Sequence, residues 1–82
     1  MFDLSTVRAA RERIAGRVHA TPTVSATRLG QQAGGGVRLV LKCENLQKTG
    51  SFKARGALNK VSELDAAARQ RGVVTFSAGN HA

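Results

Sequence analysis

The sequence has no Trp and no Tyr, one Cys, one Pro, one Met and only five acidic residues. Each scarcity excludes something. A lone Cys43 cannot close an internal disulfide or supply a cysteine cluster for a metal, which fits a reducing, cytoplasmic setting. His19 and His81 lie too far apart along the chain to make a metal site with it, so no metal is expected. Phe2, Phe52 and Phe76 are the only aromatic residues, too few for a platform on which nucleic-acid bases could stack. No apolar run approaches the roughly 20 residues that cross a bilayer, and no basic segment followed by an apolar one marks the N-terminus. A soluble, cytoplasmic protein with no membrane partner is expected.

Thirteen Lys and Arg give a net charge of +8, a balance that raises nucleic acid as a partner. The distribution argues against it. Arg8, Arg11, Arg13 and Arg17 are spaced to spread around a helix, and the other basic residues are scattered. No specific nucleic-acid binding is expected, though a small basic binding module stays as an alternative. At 82 residues the chain is one small domain at most, and chains this short bury only about 60–65% of their unfolded surface.

Leu4, Val7, Ala10 and Ile14 recur at helical spacing, which predicts a first helix over 5–16 with Asp3 or Ser5 as cap and Gly16 as stop. After Thr21-Pro22 a second helix is expected over 26–33, capped by Ser25 and ended by Gly34-Gly35-Gly36. That triplet follows a helix, so it reads as a stop rather than a phosphate-cradling loop. Residues 37–42 alternate as a strand, 43–50 read as a loop, and 51–68 as the longest helix. Ala54, Ala57, Leu58, Val61, Leu64 and Ala68 form its apolar stripe, with Lys53 off it. Gly72 separates this helix from a short β-branched strand over 73–76. Strand, helix, strand is the order of an open parallel α/β sheet, whose ligands gather at the carboxyl ends of the strands.

Two segments carry the chemistry. Ser51 is placed to cap a helix with Phe52 and Lys53 in its first turn, where the helix dipole opposes a cation. This suits a lysine that works as a neutral amine, the alternative being a surface lysine reaching into water. Ser77-Ala78-Gly79-Asn80-His81-Ala82 follows the second strand as a turn with free N–H groups that attract a carboxylate or phosphate. The plainer alternative is a strand-to-helix turn with Asn80 as a local cap.

Lys42-Cys43-Glu44-Asn45-Leu46-Gln47-Lys48-Thr49-Gly50-Ser51-Phe52-Lys53 and Ser77–Ala82, with Arg13-Ile14, Thr21-Pro22 and Ser25 before them, resemble the fold-type II pyridoxal-phosphate enzymes, in the threonine dehydratase and serine racemase branch. Thr23 departs from the apolar residue that the family carries after the proline. The resemblance implies an α/β fold, the N-terminal portion of an open parallel-sheet enzyme, with residues 1–82 an N-terminal fragment of the dehydratase domain. It implies pyridoxal 5'-phosphate as cofactor, a small hydroxy amino acid as substrate, and a homo-oligomer when full length. By position, Lys53 resembles the Schiff-base lysine, Phe52 a residue packing near the cofactor ring, and Asn80 the amide that bonds the cofactor's phenolic oxygen. Ser77, Gly79, Asn80 and His81 resemble the loop that grips the substrate carboxylate.

The implied reaction is β-elimination from L-threonine or L-serine to a 2-oxo acid and ammonia. Serine racemases carry a second acid/base serine directly after the residue matching Ser77, and this chain has Ala78, which favours a dehydratase. Ala54 and His81 separate it from the cysteine and threonine synthases in the same way. Lys48 and Thr49 match a nucleotide-effector site in some relatives, but a solvated loop is the expectation for them. A non-catalytic truncated remnant of the family is the remaining alternative.

Overall fold

A computed structural model describes residues 2–79. The first helix, α1 (Leu4–Ile14), begins at a capping box: Asp3 Oδ1 accepts from the Thr6 N–H at 3.1 Å, and the Asp3 N–H donates to Thr6 Oγ1 at 3.3 Å. The Ser5 hydroxyl, with the Thr6 amide, holds the Asp3 carboxyl below its ordinary value. Asp3 is therefore the cap rather than Ser5. The helix ends two residues before Gly16, which turns the chain with a φ of +74°.

Two strands, β1 (Thr23–Ser25) and β2 (Val40–Lys42), pair antiparallel with Val24 opposite Leu41. Flanking bonds extend the ladder, Cys43 N–H to Pro22 O at 2.9 Å and Ala26 N–H to Leu39 O at 3.0 Å. Between the strands lies α2 (Thr27–Ala33), entered through Ala26 with no side-chain cap. Ser25 is not that cap because its backbone is committed to the strand opposite Val40. Within α2, Gly30 lies so close to the segment leading into β2 that a Cβ there would sit 2.9 Å from Val37 O. Only glycine permits that approach.

Two 3₁₀ turns, Glu44–Leu46 and Lys48–Gly50, fill the expected loop and lead into α3 (Lys53–Ser62). The helix expected over 51–68 is broken. Asp65 Oδ1 accepts from the Ala68 N–H at 2.7 Å and starts a separate α4 (Ala66–Arg71), while Arg69 reaches back to Leu64 O at 3.1 Å and Ser62 O at 3.4 Å. A continuous helix would forgo that cap and leave the arginine without those carbonyls. The apolar stripe is correspondingly interrupted: Ala54, Leu58, Leu64 and Ala68 are half-buried, but Ala57 and Val61 are exposed.

Residues 73–76 form no strand, which corrects the second expected strand. Val74 is 99% exposed and Phe76 92%. A β-branched strand of this kind is stable when neighbours pair both edges and layers cover both faces, and neither is supplied among the described residues. The sheet they do form is the antiparallel β1–β2 pair, not a parallel one. Ile14 is the one large apolar side chain among them that is buried, and polar bonds from α1 and the turn after it reach α3 and its end. Arg13 Nη1 donates to Asn59 Oδ1 at 2.6 Å and Nη2 meets Glu63 Oε1 at 3.1 Å, while Arg17 Nη1 donates to Ser62 Oγ at 3.0 Å.

Candidate active site

The loop before α3 is held from below by one amide side chain. Gln47 is 4% exposed; its Oε1 accepts from the His19 N–H at 2.8 Å and the Lys48 N–H at 2.9 Å, and its Nε2 donates to His19 O at 2.9 Å. Thr49 then takes a left-handed conformation, φ 66° and ψ 3°, uncommon for a threonine. This turn delivers the chain to Ser51, which is buried and whose Oγ accepts from the Lys53 N–H at 3.4 Å. Lys53 is thus the first residue of α3 with its N–H on Ser51, as expected, but Phe52, expected inside the first turn, stands just outside the helix as its N-cap residue.

The Lys53 side chain is exposed, with Nζ 5.1 Å from the centre of the Phe52 ring. No described carboxylate pairs with it; Glu44, on the same loop, bonds Arg55 and the Thr21 hydroxyl. An open recess of about 210 Å³ lies beside the amine, lined by Phe52, Lys53, Gly56 and Ala57. A Cβ added at Gly56 would meet nothing within 4 Å. A primary amine without a counter-ion, beside an aromatic ring and a floor of small residues, fits a planar aldehyde cofactor.

Ser77 and Gly79 share one turn, in which the Gly79 N–H donates to Ser77 Oγ at 3.0 Å. That amide is therefore satisfied within the turn. No hydrogen bond joins this turn to Lys53 among the described residues. Asn80 and His81 lie outside those residues. Lys48 and Thr49 are exposed, as expected of a solvated loop.

A network behind the lysine, not legible in the sequence, joins four side chains. Arg55 Nε donates to Glu44 Oε1 and Arg55 Nη2 to Glu44 Oε2 at 3.1 Å, Thr21 Oγ1 donates to Glu44 Oε2, and Lys42 Nζ donates to Thr21 O at 3.3 Å. The Arg55 fork, then the Thr21 hydroxyl, hold the Glu44 carboxyl down to about 2, and Glu44 in turn raises Arg55. The available signal was a lone Glu in an otherwise basic stretch with an Arg eleven positions on, a spacing with no local rule to interpret it.

Residues 14–82 match the family described as pyridoxal-phosphate dependent enzyme. The chain belongs to that family. It is 51% identical over 73 residues to an L-threo-3-hydroxyaspartate ammonia-lyase from a Pseudomonas species, covering 89% of this chain and 22% of that protein. It is 46% identical over 82 residues to an L-threonine ammonia-lyase of Thermotoga maritima, all of this chain and 20% of the relative. The solved structure of maize serine racemase superposes with a TM-score of 0.81 at 46% identity, over 96% of this chain and 24% of that one. The chain thus spans about a fifth to a quarter of the length of these relatives, and its α/β elements correspond to part of that larger fold. Within this pyridoxal-phosphate dependent family the Lys53 motif and the Ser77 turn both fall inside the matched residues.

Proposed function

We propose that residues 1–82 form the N-terminal part of a cytoplasmic, homo-oligomeric dehydratase that in its full length deaminates L-threonine or L-serine to a 2-oxo acid and ammonia. The observation that carries this reading is the Lys53 amine, without a described acidic partner and beside Phe52 and the small-residue recess. Pyridoxal phosphate, when bound, supplies an aldehyde to capture amines and a conjugated ring to store the charge left at the substrate α-carbon.

The remaining work falls to the chain. Lys53 would hold the cofactor through Nζ, and the same nitrogen, when free, would accept the substrate's α-proton. Phe52 would pack near the cofactor ring, and Asn80 would donate to its phenolic oxygen. Ser77, Gly79, Asn80 and His81 grip the substrate carboxylate and so align the α-C–H bond for proton removal. For Gly79 this requires its N–H to leave Ser77 Oγ. The β-hydroxyl departs as water and water returns when ammonia is released, so the overall reaction is redox-neutral.

Ala78 supports elimination over racemisation, since a methyl group cannot exchange a proton on the far side of the α-carbon. A second reading, serine racemase, is favoured by the likeness to the maize enzyme. The test is to incubate the full-length protein with pyridoxal phosphate and each substrate. Release of 2-oxobutanoate and ammonia from L-threonine, abolished in Lys53→Ala, is expected. D-serine as the main product from L-serine would instead establish the racemase, and activity that survives Lys53→Ala would refute both.

A further inference from the structure

We propose that Arg55, acting through Glu44, is a positioning residue that fixes the rotation of α3 and thereby aims the Lys53 amine into its recess. This rests on Lys53 being the reactive lysine of the proposed function. Lys53 and Arg55 are two residues apart, so at 3.6 residues per turn their side chains leave α3 about 200° apart, on opposite faces. Arg55, Asn59 and Ser62 share one face, and each is tied to another segment: Arg55 to Glu44, Asn59 to Arg13, Ser62 to Arg17. Lys53, Gly56 and Ala57 occupy the other face, which is the open one.

Of the three ties, the Arg55 pair is nearest the lysine and the most constraining. A guanidinium fork on a carboxylate makes two parallel bonds and so fixes an orientation as well as a distance, which a single bond does not. Glu44 also accepts from Thr21, and Arg55 Nη2 lies 3.4 Å from His19 O, so one carboxylate joins residues 19–21, the end of β2 and the first turn of α3. The Glu44 side chain is 16% exposed and Arg55 31%, which shields the pair from full solvent competition. Rotating α3 to move the amine would break the fork.

The experiment uses the full-length protein loaded with pyridoxal phosphate, and compares Arg55→Gln, Arg55→Lys, Glu44→Gln and the double variant Glu44→Gln/Arg55→Gln. Asp3→Ala, which removes the cap of α1, serves as a stability control. For Arg55→Gln a fall in kcat of about 10- to 100-fold is expected, the order produced by a misplacement of roughly 1 Å, with KM for L-threonine within about threefold. Arg55→Lys should restore part of the rate, and the double variant should be no slower than Arg55→Gln. Asp3→Ala should lower the melting temperature and leave kcat within about twofold of the parent, since it acts only on the α1 cap. The proposal is overturned if Arg55→Gln keeps the parental kcat, if the two losses multiply, or if Asp3→Ala loses as much rate for the same fall in melting temperature. A parent protein that carries no cofactor on Lys53 after borohydride reduction would defeat the underlying function instead.

Discussion

Titrating the 82-residue chain alone with urea should give a broad, shallow change rather than a cooperative transition. The chain exposes 6853 Å², whereas a compact monomer of 8.6 kDa exposes roughly 4,700 Å². Its radius of gyration is 16.6 Å, against roughly 12 Å for a compact chain of this length. The excess of about 2,200 Å², taken as half apolar, forgoes on the order of 25 kcal/mol of burial at ~25 cal/mol/Å². That exceeds the 5–15 kcal/mol by which whole domains are stable. Circular dichroism against urea, with a hydrophobic dye as second probe, is the assay. An m-value well below the roughly 1 kcal/mol/M of a small globular domain is expected, together with dye binding to the surface around Val73, Val74 and Phe76. A sharp transition coincident in both probes would show that the burial argument is wrong.

Three further outcomes follow from local geometry and are to be measured in the full-length protein. Gly30→Ala should destabilise by about 1–3 kcal/mol in denaturant midpoint, because the added Cβ meets a backbone carbonyl at 2.9 Å and overpacking outweighs the gain in helix propensity. Gln47→Ala leaves His19 and Lys48 without their side-chain partner and should raise amide hydrogen exchange at both residues, with a cost of about 1–3 kcal/mol. Glu44 titrates at about 2 in the folded chain against 4.5 ordinarily, so the unfolded state binds more protons between those values. Its stabilisation is full above pH 4.5 and is lost as pH falls through about 2. Glu44→Gln should flatten the acid limb of a melting-temperature profile in that window, and an unchanged limb would contradict the assigned cause.

The local chemistry of the chain was legible in the sequence where one residue decides the outcome. Asp3 as a cap and Ser51 beneath the N–H of Lys53 follow from side chains acting within three residues of themselves, and Gly16 and Gly72 as turns from the positive φ that glycine adopts freely. The break at Asp65 was missed because apolar spacing continues across it, while the cap that stops the helix is a single oxygen. Residues 73–76 have the composition of a buried strand, but a strand depends on partners that composition does not supply. At the candidate site, Lys53 and Phe52 could be placed from the motif, whereas the Glu44, Arg55 and Thr21 network depends on contacts 11 and 23 residues apart.

The proposed function requires Lys53 to carry the cofactor. Reducing the full-length protein with borohydride in the presence of pyridoxal phosphate, then mapping the labelled peptide by mass spectrometry, tests it directly. One stoichiometric label on Lys53, absent from Lys53→Ala, is the predicted result. A label on Lys42, Lys48 or Lys60 in its place, or none on this segment, would contradict it.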